Sequence, residues 1–91
     1  MVINSPVAEY IVAVFRSRQH ALAFADAARE HGIKCSIIST PKELSLGCGF
    51  SVKMDEWALA RAKGLRELGY SNGVYRFTIK NGVSRHTLIS D

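Results

Sequence analysis

A chain of 91 residues that is 47% apolar and 22% charged has the ordinary composition of a globular protein and can bury one modest core, which excludes two domains. No apolar run reaches the roughly 18 residues a membrane span needs, and Met1–Ala8 lacks the basic-then-apolar pattern of a signal peptide. Two cysteines do not make a disulfide framework, so a reducing, cytoplasmic setting is expected, and the net charge of +4 is scattered as on a solvated surface rather than clustered for nucleic acid.

Tyr10–Phe15 is a short apolar, β-rich run and reads as a first strand. Ser17 offers an N-cap oxygen to a helix over Gln19–His31, whose apolar side contains Ala21, Leu22, Phe24, Ala25 and Ala28. Gly32 ends that helix. A second strand is expected over Ile33–Thr40, with Ile33, Cys35 and Ile37 inward and Lys34 and Ser36 outward. Thr40-Pro41-Lys42-Glu43 matches a capping box with proline at the first helical position, predicting a single helical turn.

Phe50, Val52 and Met54 alternate with Ser51 and Lys53 in a third strand. Asp55 caps a second helix over Glu56–Leu68, closed by Gly69, with Ala58, Leu59, Ala62, Leu65 and Trp57 as its apolar side and Arg61, Lys63 and Arg66 in solvent. Asn81-Gly82 between Val74–Lys80 and Val83–Ile89 predicts a hairpin with a type I′ turn. The order β-α-β-β-α-β with an added strand is a ferredoxin-like α+β pattern. We expect one domain over 1–91, with a core over 9–80 and a hairpin extension over 81–91. That extension also offers an edge for pairing with a second copy.

The candidate chemistry lies in Gly47-Cys48-Gly49, where a cysteine stands between two glycines. Packing cysteines are normally surrounded by bulk, whereas flanking glycines open a thiol to approach. In the split topology the start of strand three lies beside the end of strand one. Cys48 is therefore expected to share an edge with Arg16, Ser17, Arg18, Thr40 and Lys42. Cations and a helix N-terminus favour the thiolate, the nucleophilic form, and the Gly47 and Gly49 amides can add an anion nest.

Cys35 reads as a core packer at the opposite end of its strand, out of disulfide reach of Cys48. His20, His31 and His86 share no ligand spacing, so no metal is expected, and nothing calls for a cofactor. Leu46-Gly47-Cys48-Gly49-Phe50 echoes an RNA-recognition motif, but leucine replaces its basic residue and cysteine its first stacking aromatic. Nucleic acid is therefore disfavoured as a partner.

Phe15-Arg16-Ser17, Ala21-Leu22, the segment Thr40–Ser45, Cys48-Gly49 and Val52-Lys53 together resemble the selenium/sulfur carrier protein-like family of small bacterial proteins, from about Tyr10 to Leu68. The resemblance implies a carrier rather than an enzyme. Cys48 would bear a persulfide or selenopersulfide between a donor and an acceptor protein. A non-catalytic interaction module using the hairpin is the alternative reading.

Overall fold

The computed structural model describes residues 7–44 and 49–90. It is an α+β fold of two α-helices and a five-stranded antiparallel sheet in the order β2-β3-β1-β4-β5. β1 spans Val7–Phe15 and starts earlier than Tyr10, because β4 (Val74–Lys80) pairs along it as far as Val7 opposite Lys80. Its centre, Ile11 to Phe15, is buried on both sides, as an unbroken apolar run in a central strand demands.

α1 runs Arg18–Glu30. The Gln19 amide donates to Ser17 Oγ at 3.1 Å and the His20 amide at 3.4 Å, so the predicted cap is present. At the other end the Ile33 and Gly32 amides donate to the Ala28 and Arg29 carbonyls at 2.9 and 3.0 Å, a Schellman closure. That closure explains why the second strand is shorter than expected. The Ile33 amide is used by the helix cap, and β2 covers only Ser36–Ser39. Leu22 is also a correction, since it faces solvent while Ala21, Phe24, Ala25 and Ala28 are buried. The small residues let α1 lie close on the sheet, with Phe24 stacked on Phe15 at 5.6 Å between ring centroids.

β3 is Phe50–Met54, as expected, and Asp55 caps α2 through a 2.7 Å bond from the Ala58 amide. α2 covers only Glu56–Ala62 and does not reach Leu68. Glycine weakens a helix by about 1 kcal/mol, and just past Gly64 the backbone at Leu65 is extended (φ −81, ψ 128). A 3₁₀ helix over Arg66–Tyr70 follows and contains Gly69, so that glycine does not close α2. Trp57 is 79% exposed, not on the apolar side, while Ala58, Leu59 and Ala62 are buried and Leu65 packs against the core.

Both helices cover one face of the sheet, over Ile11, Ala13, Phe15, Val52, Met54 and Val74. The other face carries Val12, Val14 and Phe77, joined by Leu44 from a 3₁₀ turn at Lys42–Leu44. β4 continues through Asn81-Gly82 into β5, Val83–Ser90. Both turn residues have positive φ (53 and 79), as a type I′ turn requires and as asparagine and glycine tolerate. Among the described residues, no helix is long and apolar enough to cross a membrane.

Candidate functional site

Phe15 pairs with Phe50 and Ser39 with Phe50, so the end of β1, the start of β3 and the end of β2 meet at one edge. Gly49 sits in that junction. Its carbonyl accepts from the Thr40 amide at 3.1 Å. A Cβ placed on it would lie 3.1 Å from the Phe15 carbonyl oxygen and 3.3 Å from Thr40 Oγ1. The glycine is therefore required by close backbone approach, whatever chemistry occurs beside it. Cys48 and Gly47 lie outside the described residues.

The surrounding side chains are held by local chemistry. Thr40 Oγ1 and Ser51 Oγ share a 2.9 Å hydrogen bond, so the Thr40 hydroxyl works across the strands rather than capping its turn. The turn is closed by backbone, with the Leu44 amide donating to the Pro41 carbonyl at 3.2 Å. Lys42 stands exposed on it. Ser17 is committed to the α1 cap. Arg18, on the first turn of α1, puts its guanidinium 5.8 Å from the centroid of Phe50. Arg16 is exposed, and its amide donates to Asn72 Oδ1 at 3.1 Å.

Asn72, which sequence reasoning missed, joins this edge from 56 positions away. Its own amide donates to the Val14 carbonyl at 2.6 Å, and the Val14 amide donates to the Gly73 carbonyl at 2.9 Å. Tyr70, two residues earlier, stacks on His20 with ring centroids 4.6 Å apart. The edge thus gathers Arg16, Ser17, Arg18, Thr40 and Gly49, and adds Phe50, Tyr70, Asn72 and His20. No ion pair joins Arg16, Arg18 or Lys42 to a carboxylate among the described residues.

Cys35 lies at the other end. It precedes β2, whose first residue Ser36 pairs with Lys53, whereas Gly49 adjoins Thr40 beyond the last. About five residues of strand, or about 17 Å, separate the two ends, so Cys35 stands apart from the Gly49 edge; the expected lack of disulfide reach concerns Cys48, which lies outside the described residues. Cys35 packs against the core and its Sγ donates to the Ala25 carbonyl at 3.9 Å. Burial pushes its thiol above the ordinary value; Arg29 offsets this in part and Asp26 adds to it. No cluster of three metal-ligating side chains occurs among the described residues.

Residues 10–68 match a family model described as Putative Se/S carrier protein-like, nearly two thirds of the chain. The chain belongs to this family. No curated protein and no solved structure matches it.

Proposed function

We propose that the chain is a cytoplasmic, single-domain sulfur or selenium carrier on a ferredoxin-like frame, with Cys48 as the bearing residue. The family match over residues 10–68 carries this reading, since it spans Cys48 and the edge around Gly49. The order β2-β3-β1-β4, antiparallel throughout with both helices on one face, supports the ferredoxin-like frame.

Loading is a thiol exchange. The Cys48 thiolate attacks the terminal sulfur of a donor protein's persulfide, an S–S bond forms to Cys48, and the donor's S–S bond breaks with its thiolate leaving. The sulfur keeps its oxidation level, so no external oxidant is needed, and delivery to an acceptor thiolate is the same step reversed. Selenium follows the same course. Arg16, Arg18 and Lys42 favour the thiolate and the departing anion, and the α1 N-terminus adds its dipole. Ser17 and Thr40 hold the helix start and the strand junction that bring these groups together, while Gly47 and Gly49 leave the thiol accessible.

The test is intact mass after incubation with a cysteine desulfurase and cysteine. A gain of one sulfur atom that is absent in Cys48→Ser and retained in Cys35→Ser is expected. Equal labelling of Cys48→Ser would end the reading.

A second reading, self-association through the hairpin, has one specific observation in its favour. β5 is an eight-residue edge strand with Val83 and Leu88 exposed. Light scattering on the full chain and on a chain ending at Lys80 decides it: an oligomer that the truncation dissociates supports it, and a monomer at every concentration removes it.

A further inference from the structure

Two of the exposed large apolar side chains flank the start of α1, and both are already stacked. Phe50 is 37% exposed beneath the Arg18 guanidinium, and Tyr70 is 46% exposed against the His20 ring. Side chains held in this way lose less rotamer freedom when a partner covers them, and aromatic residues with arginine are the types that anchor protein interfaces. The charge along this edge is mainly positive. Segments 16–20, 40–44, 49–50 and 70–72 carry Arg16, Arg18 and Lys42 against the single carboxylate Glu43.

We propose that Phe50, Tyr70, His20 and Arg18 form a docking surface for an acidic protein segment, that of the persulfide donor; this rests on the carrier reading above. Carboxylates of the segment meet Arg16 and Arg18, and an apolar anchor covers Phe50 and Tyr70. A nucleic acid would also suit the charge. Sheets that read single strands stack bases on their open face, however, whereas Phe50 lies on the helix-covered side of β3 with Val52 and Met54. The surface continues directly into Gly49, so a docked donor lies beside the residue that follows Cys48.

Two donors separate docking from chemistry. Loading of Cys48 is followed by mass from a cysteine desulfurase charged with cysteine, and separately from inorganic polysulfide, which needs no docking. Phe50→Leu and Tyr70→Ala are expected to slow loading from the desulfurase by about tenfold and to leave the polysulfide rate within about twofold. Polyglutamate is expected to inhibit the desulfurase reaction more than oligothymidylate of equal charge. Variants that match the wild type with the desulfurase overturn the inference while leaving the carrier reading intact. So does an equal loss with both donors, which would tie the rings to the thiol or the fold. Wild type loaded by polysulfide but not by the desulfurase overturns it as well, as does stronger inhibition by the oligonucleotide, which would assign the surface to nucleic acid. A wild type that neither donor loads ends the carrier reading and this inference together.

Discussion

The two ends of strand β3 treat their surroundings in opposite ways. At the Met54 end, Cys35 is half-buried, its Sγ directed at a helix carbonyl, and the neighbouring Arg29 is engaged with the Cys35 carbonyl at 3.4 Å. At the Phe50 end, the ends of β1 and β2 meet the start of β3 around a glycine, and Arg18 lies on a ring instead of a carboxylate. One end stores a thiol in its protonated form. The other collects cations and exposed rings around the residue next to a thiol. Position along one strand is thus enough to set the two environments apart, within a sheet whose ladder runs unbroken between them.

The strongest way to break this contrast is to exchange the thiols. Cys48→Ser is expected to abolish sulfur loading, and Cys35→Ser to leave it intact, both read by intact mass. Next is the junction itself. Gly49→Val forces a branched side chain against the Phe15 carbonyl and Thr40, and a loss of about 1–3 kcal/mol in denaturant unfolding is expected. Because Gly49 is the chain neighbour of Cys48, the same substitution should also slow Cys48 alkylation.

The pH dependence of alkylation sharpens the comparison further. Burial holds the Cys35 thiol up, so its reaction should begin only at more alkaline pH than a free thiol. Cys48 is expected to react at lower pH and about tenfold faster near neutrality. Coincident profiles for the two thiols would erase the distinction between the ends.

Smaller effects lie in the helix starts. Ser17→Ala removes two amide contacts at the Phe50 end and should cost about 1 kcal/mol, measured by urea unfolding. The smallest concerns Glu56 and Arg76, paired at 2.9 Å on an exposed flank. The hydrogen bond from Arg76 holds the Glu56 carboxyl below its ordinary value. Its contribution is present above the unfolded-state value and fades as pH falls through the folded one. Glu56→Gln should flatten the acid limb of the stability profile only slightly, and less at high salt.

What was legible in the sequence is the chemistry that acts over a few residues. Ser17, Gly32, Asp55 and Asn81-Gly82 each satisfy or turn the backbone beside them, and each does so in the structure. Helix length was not legible. Nothing in the run after Ala62 offsets the weakness at Gly64, and Leu65 gains its core contacts from an extended backbone instead. Trp57 misled for a related reason: apolar character alone does not fix which side of so short a helix is inward. The edge was half visible. Topology placed Arg16, Thr40 and Gly49 together, but the share of Asn72, Tyr70 and Phe50 comes from contacts between distant segments, which no local pattern encodes.

The Asn81-Gly82 hairpin tip has a practical consequence. Lys80 lies opposite Val7, at the start of β1, while the Gly49 edge lies at the end of β1. About eight residues of strand, or about 26 Å, therefore separate the tip from the edge. A short affinity tag inserted there would tether the protein to a sensor surface with its Gly49 end turned outward, so that the proposed docking and loading at that edge can be tested on an immobilised molecule.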